Sequence, residues 1–115
     1  VIGCTFDANN TGAVAGVYTV TGQDSYGDGW NGATLQWTID GVSTSWTIAD
    51  GSDGSTSFTV PAGASTFGFE FTSGDWDSEV TYQVNWTALD GTGSQTAISD
   101  GTSPAVGFKA MNICR

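Results

Sequence analysis

Ala33-Thr34-Leu35-Gln36-Trp37-Thr38-Ile39-Asp40-Gly41-Val42 alternates apolar and polar side chains until Asp40-Gly41 interrupts it. A period of two places Ala33, Leu35, Trp37 and Ile39 on one face of a strand and Thr34, Gln36 and Thr38 on the other. Asp-Gly suits a two-residue hairpin because Gly accepts positive φ at no steric cost and Asp tolerates it. The stretch therefore predicts a half-buried strand over 33–40, a tight turn, and an antiparallel partner over 42–49.

Working outward, the same alternation predicts strands near 15–22, 55–60, 65–72, 79–88, 94–98 and 104–113. Phe67, Phe69 and Phe71 form the inward set of one, and Val80, Tyr82, Val84 and Trp86 that of another. Asp-Gly recurs at Asp50-Gly51, Asp53-Gly54, Asp90-Gly91 and Asp100-Gly101, each read as a turn. About eight short strands without a helical segment predict an all-β, antiparallel two-sheet β-sandwich, jelly-roll-like in form. Residues 1–115 read as one domain, of which 1–12 is a candidate extended strand or arm.

Composition agrees with a single core. At 115 residues a chain withdraws roughly two thirds of its extended surface from water on folding. Five Trp, six Phe and three Tyr supply bulky apolar side chains, and abundant Thr, Ser and Val favour strands. Charge is sparse and one-sided: 12 carboxylates face Lys109 and Arg115, there is no His, and the formal net charge is −10. That balance repels phosphate backbones and anionic bilayers, which argues against nucleic acid and membrane partners. No apolar run approaches the roughly 18 residues of a membrane span. Cations are the natural counterpart.

Cys4 and Cys114 stand near opposite ends of the chain, and compact domains often bring their ends together. A bridge between them predicts an oxidising compartment, with a stabilisation on the order of 4 to 5 kcal/mol in the loop-entropy model. Asn9-Asn10-Thr11 and Asn85-Trp86-Thr87 are acceptor triplets for N-linked glycosylation. The alternation turns Asn85 toward solvent. Both features point to a secreted or cell-surface protein.

The densest chemistry lies in Asp24-Ser25-Tyr26-Gly27-Asp28-Gly29-Trp30-Asn31-Gly32, between two expected strands. Calcium takes six to eight oxygens at about 2.3 to 2.6 Å, and a glycine-rich acidic loop can wrap carboxylate, amide and backbone oxygens around one ion. The spacing is not that of an EF-hand. Asp75-Trp76-Asp77-Ser78-Glu79 forms a second acidic cluster, and Asp77 and Glu79 would complete the sphere begun by Asp24, Asp28 and Asn31 if both loops occupy one end of the sandwich. Without His or free thiols, zinc and redox metals fit poorly. Trp30 and Trp76 flank the expected ligands. Each suits either stacking on a sugar ring or anchoring its loop to the core.

The nine-residue stretch resembles the DSYGDGWNG motif of extracellular β-sandwich domains found in surface and secreted proteins of bacteria, especially Bacteroidetes, and of some algae and protists. Gly74 to Glu79 is similar to that family's later Gly-x-x-x-Ser-Glu segment, so the resemblance covers about residues 17 to 88. It implies a calcium-stabilised adhesive or carbohydrate-associated module with Asp24, Asp28, Asn31 and Glu79 as favoured ligands. Such modules commonly sit within long multidomain chains.

Three functions follow as expectations. A structural or adhesive building block that associates with copies of itself or with other extracellular surface proteins fits the hydroxyl-rich, lysine-poor strands. A calcium-dependent, lectin-like glycan-binding module fits Trp30 and Trp76. A glycosidase would need an acid and base pair of carboxylates in a cleft. The absence of His and of an activated nucleophile leaves the enzyme reading the weakest.

Overall fold

The computed structural model describes residues 14–113 together with the backbone of residues 5–7. Cys4, Cys114 and Asn9 lie outside the described residues. Ten strands run antiparallel: β1 Thr5–Asp7, β2 Gly16–Asp24, β3 Thr34–Ile39, β4 Val42–Trp46, β5 Asp53–Val60, β6 Phe67–Thr72, β7 Val80–Thr87, β8 Ser94–Gly101, β9 Gly107–Phe108 and β10 Ala110–Asn112. A 3-10 turn, Asp77–Glu79, precedes β7.

Two four-stranded sheets carry the fold, one ordered β5-β2-β7-β8 and the other β4-β3-β6-β9, and β1 pairs with β10 beside them. Inward residues of both sheets meet in one core. Tyr18, Val20, Phe58, Val60, Tyr82, Val84 and Trp86 come from the first sheet, and Leu35, Trp37, Phe67, Phe69 and Phe71 from the second. Phe58 stacks across the interface on Trp37 at 4.4 Å and within its own sheet on Tyr18 at 5.1 Å, centroid to centroid. Offset stacking of this kind adds about 0.5 to 1.5 kcal/mol per pair beyond area burial. Polar tips of the buried rings are satisfied, as Tyr18 donates to Val14 O at 2.7 Å and Trp86 Nε1 to Ala15 O at 3.0 Å.

The Asp40-Gly41 hairpin forms as expected, with Ile39 opposite Val42 and φ of 48° and 86° at the two turn residues. Asp40 does more than turn the chain. Its Oδ1 accepts from Ser65 N at 2.7 Å and Thr66 N at 2.9 Å, tying the hairpin to the entry of β6.

Several expected boundaries shift. The strand expected over 42–49 ends at Trp46, because the chain then crosses to the other sheet; Thr47 Oγ1 donates to Ala33 O at 2.7 Å and Ile48 enters the core. Asp53-Gly54 is not a turn but the start of β5, where Gly54 pairs with Gly22 of β2. The expected strand over 104–113 divides at Lys109, whose N–H bonds Phe69 O at 2.9 Å, so β9 joins the second sheet and β10 pairs with β1. Of the possible N-terminal arm, Thr5–Asp7 pairs within its own chain.

Candidate metal centre

The antiparallel pairing of β2 with β7 sets Asp24, the last residue of β2, opposite Val80, the first of β7. Glu79 immediately precedes Val80, so the two acidic loops meet at one end of the sandwich. The crossover after β4 joins them: Asp24 N–H bonds Ser52 O at 2.7 Å, and Asp28 bridges Gly51.

The loop after β2 folds around the Asp24 carboxylate, which accepts the N–H groups of Tyr26, Gly27 and Asp28 at 3.3, 3.1 and 2.8 Å. Gly27 takes φ of 94° and Gly29 φ of 89°; a Cβ on Gly29 would stand 2.6 Å from Ile48 O. Gly74 approaches from the second loop, where a Cβ would meet Ala33 N. These glycines let two backbones close on the site.

Asp24, Asp28 and Glu79 each place a carboxylate oxygen within 4.8 Å of the others. Asp24 is buried, Glu79 half-buried and Asp28 exposed. Burial opposes ionisation of Asp24, but the N–H bonds from Tyr26, Asp28 and Gly27 outweigh it and hold the carboxyl below its ordinary range. Glu79 is pushed the other way, by desolvation first, then by its contact with Asp24 and the negative charges of Asp24 and Asp28. Its Oε1 is buried without a hydrogen-bond partner among the described residues.

Such a set fits a hard divalent cation. Two oxygens on one calcium ion can stand up to about 5 Å apart, twice the metal–oxygen distance. A cation would give the orphaned oxygen a partner and reverse the mutual repulsion. The donors are all oxygen, which disfavours zinc. The group can therefore hold a metal ion.

The other expected site residues stand around this group. Asn31, at φ 53°, turns its Nδ2 to Asp28 Oδ1 and Gly29 O, both at 3.2 Å, while its carbonyl accepts from Asp75 N at 3.0 Å. It positions Asp28 and joins the loops. Asp77 lies apart from the three-carboxylate group, because its oxygens accept from Ser73 Oγ at 2.6 Å and Gly74 N at 2.8 Å. Trp30 is fully buried, with Nε1 donating to Gln23 O at 2.9 Å and Trp46 edge-on at 5.3 Å. No face of its ring is open to a sugar.

Trp76 is 56% exposed and Tyr26 76%. Together with Asp28 and Glu79 they line an open depression of about 400 Å³. Tyr26 was not singled out in the sequence; the available signal was a large aromatic in a glycine-rich loop with no strand to bury it. A further depression, about 450 Å³, lies at the opposite end against Ala15, Trp86 and Asp90. There Asp90 is occupied by its own turn, accepting from Thr92 N and Oγ1.

No helix among the described residues is long and apolar enough to cross a membrane. Comparison of the chain with protein-family models, curated proteins and solved structures finds no match.

Proposed function

We propose that Asp24, Asp28 and Glu79 bind calcium and that the domain is a non-catalytic structural or adhesive building block of an extracellular surface or filament. The observation that carries the calcium assignment is the convergence of three carboxylates within 4.8 Å, with Glu79 Oε1 buried and unpartnered. The terminal cysteines and two sequons support an extracellular setting. Support for assembly comes from β4, a sheet-edge strand with no charged residue between Val42 and Trp46. Uncharged edges are open to pairing with another chain.

Thermal unfolding with and without calcium tests the ion. At a calcium concentration about a hundredfold above Kd, binding adds about 2.7 kcal/mol, which for a chain of this size raises Tm by about 10 °C. Asp28→Ala is expected to lose most of that rise while melting no lower than wild type in chelator, since it removes one of the charges that oppose ionised Glu79. Equal melting of variant and wild type in calcium would remove Asp28 from the ligand set.

The exposed pair Tyr26 and Trp76 favours a second reading, a calcium-dependent glycan-binding module. A ring seated between them could place hydroxyls toward the ion. In that case Trp76→Ala abolishes calcium-dependent retention on a glycan array and leaves the calcium-induced Tm rise intact. Failure of the wild-type protein to bind any glycan in calcium would count against this reading.

A further inference from the structure

We infer that Asn85 is a site of N-linked glycosylation and that the root sugar of its glycan rests in a hydroxyl-lined cup on the outer face of the first sheet. Asn85 belongs to Asn85-Trp86-Thr87, and its neighbours in β7, Val84 and Trp86, point into the core. Asn85 is therefore turned outward, and it is exposed. Thr87, two residues on, shares that face. An acceptor amide and the hydroxyl that the enzyme requires stand on the same side of the strand, Asn85 exposed and Thr87 half-buried.

The surroundings suit a sugar. Across the sheet, Asn85 is paired with Thr19 of β2 on one side and Thr96 of β8 on the other. Thr19, Thr87, Ser94, Gln95 and Thr96 join Asn85 around a depression of about 460 Å³, which contains no charged residue and no aromatic ring. Short hydroxyls offer both donors and acceptors to ring hydroxyls and to an acetamido group. The register of β7 with β8 shifts between Val84 and Asn85, leaving Ala97 and Ile98 both buried. A bulge of this kind re-aims side chains and increases local twist. Here it sits where the cup begins. This inference is independent of the metal ion.

The test is peptide mapping and intact mass of the natively produced protein. The peptide carrying Asn85 is expected to bear a glycan, and enzymatic release of N-linked glycans converts Asn85 to Asp. Asn85→Gln and Thr87→Ala each remove the modification, whereas Thr87→Ser retains it, which separates loss of the sequon from loss of the fold. An unmodified Asn85 in the native protein overturns the site. For the cup, trimming the glycan to its root sugar is expected to leave Tm unchanged, whereas Asn85→Gln, which carries neither sugar nor added charge, is expected to melt lower. If the trimmed protein and Asn85→Gln melt together, the root sugar does not rest in the cup.

Discussion

The three carboxylates of the candidate metal centre are set against one another by different surroundings. Asp24 is held ionised by three N–H groups, whereas Glu79 is desolvated beside two negative charges. A carboxyl whose folded pKa is raised binds its proton more tightly in the native state than in the unfolded chain. The stability this confers is present at low pH and is lost as pH rises above the ordinary glutamate value through the raised one. Calcium-free protein should accordingly melt lower at pH 7 than near pH 4.5 as far as Glu79 governs the change, with calcium abolishing the loss. Asp24, depressed, acts oppositely and only in more acid solution. Glu79→Gln therefore has a sign that depends on the ion: at pH 7 it raises Tm in chelator and lowers it in calcium, forfeiting most of the rise of about 10 °C. Calorimetry in both conditions checks this, and a change of the same sign in each would count against Glu79 as a ligand. Asp24, Asp28 and Glu79 were legible in the sequence because acidic residues in glycine loops have few other uses at such density. Asp77 was not separable from them, since an oxygen that caps a turn and one that binds a cation look alike until the loop closes, and an indole such as Trp30 suits a sugar or the core until its burial is seen.

Between elements, the fit of the loop after β2 depends on a pair of facing glycines. Gly22 and Gly54 are opposite each other in β2 and β5. A Cβ on Gly22 would stand 2.6 Å from Trp30 Cζ2 and one on Gly54 3.4 Å from Trp46 Cζ2. The missing side chain of Gly22 leaves the space that the Trp30 indole occupies as the loop returns over the strand it has just left. Gly22→Ala overfills this space, and because Trp30 is fully buried it cannot swing away. The expected cost is about 2 kcal/mol, or about 8 °C in Tm, with weakened calcium affinity as the loop is displaced. Denaturant titration and calcium titration of the variant check it; unaltered stability would show that the loop accommodates a methyl group without Trp30 moving. The strands themselves were readable wherever alternation was clean, in β3, β6 and β7. It failed where tertiary demands override it. Asp53-Gly54 looks like a turn but is extended because both residues pair with β2, Asp53 opposite Gln23 and Gly54 opposite Gly22, and the last expected strand divides because its two halves serve different partners. The bulge opposite Asn85 breaks the period of two in β8, which no local pattern announces.

For the molecule as a whole, the question is how a chain with a formal net charge of −10 could pack against its own copies. Of its two basic residues, Lys109 is spent internally: Nζ pairs with Asp100 Oδ2 at 2.8 Å and donates to Ala105 O at 2.9 Å, and the residue is 9% exposed. Like-charge repulsion therefore opposes association unless cations intervene. Calcium held as proposed by Asp24, Asp28 and Glu79 would offset two negative charges at the end of the sandwich where the two acidic loops meet. The uncharged edge of β4 and the exposed apolar side chains of Val42 and Phe108 are the surfaces that the proposed assembly would use. A calcium-dependent building block predicts, in sedimentation velocity, large species in millimolar calcium that return to monomer on chelation. Magnesium at equal ionic strength serves as the control, since simple charge screening would act alike with either ion, whereas a calcium site as proposed would discriminate against the smaller cation, which demands near-ideal octahedral geometry. A monomer of the same size in calcium and in chelator would exclude calcium-driven self-assembly and move the function to the depression between Tyr26 and Trp76, where a glycan would be the ligand.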